Sequence, residues 1–219
     1  MNGYSCRGFF VPERMMRMGL GQMPEEKEDR TDTSVPVLPA DARGRFVRRL
    51  QAAYRRYFNI TPAQDLPGAG KGMPDSLICR CDFDVTNAQY ILTKKNVLWS
   101  ADSHEYCYIF SLSRLTGDIY RQLEHYVYEE GMKLIHPGKG HMCSNLTLLV
   151  VCDECDEEGK RSLKKCRLHK NFRFSLYGWM DFHTAMAVLG REGSCKGCVV
   201  TNFSGHDNAK LLRQLLRAA

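Results

Sequence analysis

Long hydrophobic runs are scarce in this 219-residue sequence. None approaches the roughly 18–20 apolar residues that a bilayer-crossing helix needs, so no membrane partner is expected. The first residues also lack the sustained apolar segment of a secretory signal, which points to a cytoplasmic setting. No glycine-rich phosphate loop is present, because Gly68–Gly72 is not followed by Gly-Lys-Ser/Thr at a helix start. Aromatic ribonucleoprotein motifs are missing as well. No internal repeat is visible. Acidic residues are absent from Arg43–Phe58, which carries six arginines.

What is present is an ordinary globular composition, 43% hydrophobic and 26% charged, on a chain long enough for one domain and a tail. Ten cysteines are many for a reduced compartment. Without an export signal, free thiols or metal ligation explain them better than a disulfide framework. The net charge of +6 is mildly basic and matters only where the charge clusters.

Residues 1–42 read as a disordered tail. They hold a mixed charge run, Glu25–Arg30, and the prolines Pro36 and Pro39. A single α+β domain is expected over 43–219, with one mixed or antiparallel sheet covered by about four helices. The spacing of Phe46, Val47, Leu50, Ala53, Tyr54, Tyr57 and Phe58 predicts a helix over Gly44–Phe58, with Asp41 as its cap. From Leu77 to Leu112 the period changes to two. Strands are expected at Leu77–Phe83, Gln89–Thr93, Asn96–Ala101 and Glu105–Leu112. Thr116–Ile135 returns to helical spacing. Leu146–Cys152 reads as a buried strand, Asp156–His169 as a helix, and Phe172–Trp179 and Phe182–Leu189 as strands. Asp207 is the expected cap of a last helix, with Lys210, Arg213 and Arg217 outward. The two apolar stretches on either side of the charged segment 152–169 are the expected centre of the sheet.

The text Leu92-Thr93-Lys94-Lys95 with Trp99, His104–Phe110 and Phe172–Leu189 resembles an uncharacterised family of single-domain proteins from anaerobic Gram-positive bacteria. The resemblance spans about residues 43–216. It implies a bacterial domain and carries no activity, no catalytic residue and no cysteine framework with it.

Three constellations bear chemistry. Arg45, Arg48, Arg49, Arg55 and Arg56 lie opposite the apolar stripe of the first helix. Guanidinium forks suit phosphate or carboxylate, so this face is the candidate contact for nucleic acid or an acidic protein. Lys160–Arg173 adds seven basic residues, which would extend the footprint if both segments faced one side. Cys152-x-x-Cys155 and Cys195-x-x-Cys198 are two half-sites for one structural zinc, with Cys166-x-x-His169 a third. Cys79, Cys81 and Cys107 read instead as small buried residues. Finally, the order helix, strands, helix, strand resembles the core of restriction-type nucleases, which would need Asp82, Asp84 and Glu105 to converge with Lys94 or Lys95. The lysine usually found two residues beyond the acid is absent at Cys107. The pattern favours a non-enzymatic binding protein, with the nuclease-like enzyme and the zinc module as alternatives.

Overall fold

A computed structural model describes residues 41–70, 72–90, 97–190 and 197–218, and for 87–90 and 97–101 the backbone alone. The expected tail lies, except for Asp41 and Ala42, outside the described residues. In order, the elements are α1 (Ala42–Tyr54), β1 (Asn59–Pro62), β2 (Leu77–Tyr90), β3 (Val97–Leu115), α2 (Gly117–Leu134), β4 (His141–Cys155), α3 (Glu157–Lys165), β5 (His169–Asn171), β6 (Trp179–Val188), β7 (Cys198–Thr201) and α4 (His206–Arg217). The fold is α+β, with one mixed seven-stranded sheet ordered β1-β2-β3-β4-β6-β5 and β7 paired to β6.

β1, β2 and β3 form an antiparallel meander, whereas β3, β4 and β6 run parallel. Parallel strands are covered on both faces and read as near-continuous apolar runs. Leu146 and Leu148–Val151 are accordingly all buried. The charged segment 152–169 leads from β4 through α3 to the edge strand β5, and a loop then returns the chain to β6, which lies beside β4. Four short strands were expected over residues 77–112; two long ones, β2 and β3, are found. β1 carried too weak a pattern to be seen in the sequence. It lies at the edge of the sheet, where Pro62 is tolerated because one side of the strand needs no donor.

Each helix pair covers one face. α2 and α3 supply Leu123, Val127 and Leu163 to one core, and α1 and α4 supply Phe46, Leu50, Leu211 and Leu212 to the other. Asp41 caps α1, accepting from Gly44 N at 2.8 Å, as its side-chain chemistry predicts. α1 ends at Tyr54, earlier than its apolar spacing suggests, while Phe58 stays buried in the turn that follows. α3 begins on its Asp156 cap and stops at Lys165, short of His169. α4 is capped by Gly205, with Asp207 in the first turn. In α2, Gly131 is a contact residue, since a Cβ there would come within 2.5 Å of Leu146.

The expected strand Phe172–Trp179 is a loop with β6 beginning at its end. Arg173, Phe174 and Ser175 take φ of 46°, 54° and 66°. Left-handed backbone costs non-glycine residues about 1–2 kcal/mol each. Local bonds offset this: Leu176 N donates to Arg173 O at 3.0 Å, Tyr177 N to Phe172 O at 3.1 Å, and Ser175 Oγ to Asn171 Oδ1 at 2.7 Å.

Candidate functional site

The arginine face divides by its surroundings. Arg45, Arg48, Arg55 and Arg56 are exposed and Arg49 is half-buried. Arg55 and Arg56 project from the turn after α1 instead of from the helix. Beside α1 packs α4: the Tyr54 hydroxyl donates to Asn208 Oδ1 at 3.1 Å, and the leucines of α4 share a core with Phe46 and Leu50. α4 exposes Lys210, Arg213 and Arg217. α1 contains no acid and α4 only Asp207. One sheet face therefore carries two adjacent helices whose exposed residues include Arg45, Arg48, Lys210, Arg213 and Arg217. Of the Lys160–Arg173 segment, Lys160–Lys165 does not join them, because α3 packs on the opposite face, and Lys170 lies on the edge strand β5. There Lys160 pairs with Glu157 at 2.7 Å, and the neighbouring helix contributes an Arg121–Glu158 bridge at 2.8 Å.

At the carboxyl ends of β3, β4 and β6 lies a cleft of about 600 Å³, lined by Asp41, Arg43, Arg45, Arg114, Asp153 and Glu154 among others. Such an edge is where open α/β sheets hold ligands. Here its charges meet one another: Arg43 bonds Asp153 and stands 4.0 Å from Asp41. The cleft is a mixed-charge crevice that joins α1 to the sheet edge.

The cysteine half-sites share a corner. Cys152 pairs laterally with Val188, and Val188 with Cys198. Cys155, Cys152 and Cys198 are close enough to feel one another's charge. Burial pushes the Cys152 thiol up to about 12 and the Cys155 thiol up to about 11, with neighbouring Cys and Asp charges adding to it. Cys195 lies outside the described residues. Among the described residues no three His, Cys, Asp or Glu side chains stand at metal-holding distance. Cys79, Cys81 and Cys107 are fully buried, as their strand positions predict.

The acids of the nuclease reading do not converge. Alternation along β2 puts Asp82 and Asp84 on the α2–α3 face, while Phe83 opposite Glu105 packs toward α1. Asp82 takes both forks of Arg80, at 2.7 and 2.8 Å, and Asp84 holds His104 Nδ1 at 2.6 Å. Lys94 and Lys95 lie outside the described residues.

Glu105 belongs to a different group, which pattern reading missed. It is buried on β3, one register step from Cys107, which lies level with Thr147 and His183. Burial pushes its carboxyl up to about 8, with Asp207 at the start of α4 adding to the rise and the Thr147 hydroxyl opposing it. Glu105 Oε1 has no hydrogen-bond partner among the described residues. Burial likewise pulls His183 down to about 4, against Asp181 and Asp207. At neutral pH this is a protonated acid near a neutral imidazole. The carboxyl-edge cleft does not include either residue. Glu105 and His183 stand on parallel strands with β4 between them, so no sequence spacing links them, and recognising the group required the strand order.

At the other end of β4, His141 secures the 172–178 loop. Its Nδ1–H donates to the Tyr177 carbonyl at 2.7 Å, which leaves Nε2 to accept from the Ser144 hydroxyl at 2.9 Å. Gly178, at φ 76°, passes so close that a Cβ would stand 2.3 Å from Met142 O. Phe172 turns its ring inward onto His141, with centroids 5.8 Å apart. Phe174 and Leu176 turn outward, 97% and 79% exposed.

No helix among the described residues is long and apolar enough to cross a membrane. Comparison with curated proteins and with solved structures finds no match. A family model does match, over residues 43–214, from the cleft-lining Arg43 through most of α4. The chain belongs to the family described as "Domain of unknown function (DUF8052)".

Proposed function

We propose that the protein is a non-enzymatic binding module that docks a polyanion, nucleic acid, on the basic face of α1 and α4. The observation that carries this reading is the packing of two acid-poor helices side by side, so that Arg45, Arg48, Arg55 and Arg56 share a surface with Lys210, Arg213 and Arg217. Clustered guanidinium groups release counterions from a phosphate backbone, which makes affinity fall steeply with salt. Fluorescence anisotropy with duplex DNA, RNA and an acidic peptide at two salt concentrations tests it. Tight, salt-sensitive binding to a nucleic acid is expected. Replacing Arg48, Arg55 and Arg213 by Gln should flatten the salt slope by about 0.9 for each phosphate no longer neutralised. Absent or salt-independent binding overturns the reading, and preference for the peptide reassigns the face to an acidic protein.

The second reading is a structural zinc held by Cys152, Cys155, Cys198 and Cys195. It is favoured by the shared corner of the first three thiols. Thiols held high by burial must lose their protons to ligate, so zinc uptake would release protons and strengthen with pH. Elemental analysis of tag-free protein, with a thermal melt before and after chelator, decides it. One equivalent of zinc and a lowered melting temperature support the site. Absence of metal with an unchanged melt removes it.

A further inference from the structure

The loop between β5 and β6 is used by neither reading above. Its tip is apolar: Phe174 and Leu176 are 97% and 79% exposed, and Leu168 is partly so. Its flanks are cationic. Arg167, Lys170 and Arg173 are exposed, Lys164 and Lys165 continue the charge along α3, and no acid occurs between Gly159 and Met180. The loop is also pre-shaped. Three consecutive non-glycine residues hold left-handed backbone, fastened by His141 below and by the turn bonds above. Backbone strain that the surroundings over-determine is a mark of sites where shape matters. Two large apolar side chains kept in water on a rigid support cost hydration and contribute nothing to either core.

We infer that the β5–β6 loop is a membrane-surface anchor that seats Phe174 and Leu176 at the headgroup–acyl boundary of a bilayer carrying anionic lipids. The chemistry is that of interfacial elements: an apolar apex that enters the boundary, and lysines and arginines that meet anionic headgroups. Apolar side chains that stand out into solvent fit a deformable surface that can close around them. A single-stranded nucleic acid fits less well, because it would stack on Phe174 and leave Leu176 without a partner, while the Tyr177 ring is already covered by Arg173 at 5.2 Å. No spanning helix is involved, since the loop lies on the bilayer and does not cross it.

Flotation of the full chain with phosphatidylcholine vesicles, with and without phosphatidylglycerol, tests the inference. Binding is expected to the anionic vesicles only. A Phe174→Ala/Leu176→Ala variant should lose about tenfold or more in affinity, because each side chain forfeits its burial. Both positions are solvent-exposed, so its melting temperature should match the parent. Phe174→Trp should shift its emission to the blue on anionic vesicles. An Arg48→Gln/Arg55→Gln/Arg213→Gln variant should float like the parent, which separates this site from the α1–α4 face. The inference is overturned by no flotation, by equal flotation of the double-alanine variant, or by flotation that the triple-glutamine variant loses. Loss by the double-alanine variant of binding to poly(dT), without vesicle binding in the parent, assigns the loop to single-stranded nucleic acid instead.

Discussion

Replacing Glu105 by Gln should change how stability depends on pH. In the folded chain this carboxyl keeps its proton up to about pH 8, whereas the unfolded group titrates near 4.5. Between those values the folded state holds a proton that the unfolded state has released, so stability is lost as pH rises. His183 acts in the opposite sense. Folded, it stays neutral down to about pH 4; unfolded, it takes up a proton below 6.5, so stability is lost as pH falls. From 4.5 to 6.5 the two slopes cancel. Above 6.5 only the Glu105 slope remains, until about pH 8. Over that interval it amounts to about 2 kcal/mol at 1.36 kcal/mol per pH unit. A Gln of the same shape does not ionise. Urea unfolding at pH 6.5 and pH 8 should therefore show the parent losing about 2 kcal/mol more than Glu105→Gln across the interval. Groups common to both proteins drop out of that difference. Asp207→Asn, which removes the second cause of the shift, should reduce the parent's loss without abolishing it. Equal losses in the parent and Glu105→Gln would refute the reasoning and mean that the carboxyl is already ionised in the folded state.

Other consequences follow from the same contacts. His183→Gln should remove a contribution of up to about 3 kcal/mol between pH 6.5 and 4, which leaves the Glu105 slope uncancelled, so that the variant, unlike the parent, gains stability as pH falls from 6.5 to 4.5 in the same unfolding series. Gly131→Ala should destabilise by about 1–3 kcal/mol despite alanine's better helix propensity, because its Cβ would press on Leu146; a higher melting temperature would show that the leucine steps aside. Gly178→Ala should cost more than about 2 kcal/mol, since it meets both a left-handed φ and the Met142 carbonyl, and hydrogen exchange should rise first at residues 172–178.

Legibility followed the range of the interactions. The cap Asp41 and the helical spacing of Thr116–Ile135 depend on neighbours within a turn or two, and helices stand close to where those signals put them. Phe172–Trp179 misled because its aromatic-rich text has strand propensity. Yet His141, more than thirty residues earlier in the chain, and the close passage at Gly178 impose a left-handed turn there. Asp82, Asp84 and Glu105 looked like one acidic group in sequence. The pleat sends them to opposite faces, a distinction that needs the pairing register.

The sequence by itself determined where helices α1–α4 lie to within a turn or so, which of their surfaces are apolar, and that two stretches are rich in cations. Those properties are local, and periodicity records them. Only the tertiary structure decided that α4 lies beside α1 on one face of the sheet and that α3, with Lys160–Lys165, lies on the other. It also decided that Thr147, whose hydroxyl acts on Glu105, stands level with His183 through the parallel order β3-β4-β6. Strand order and facing come from long-range burial, whose free energy is shared over the whole core and leaves no signature at any one residue.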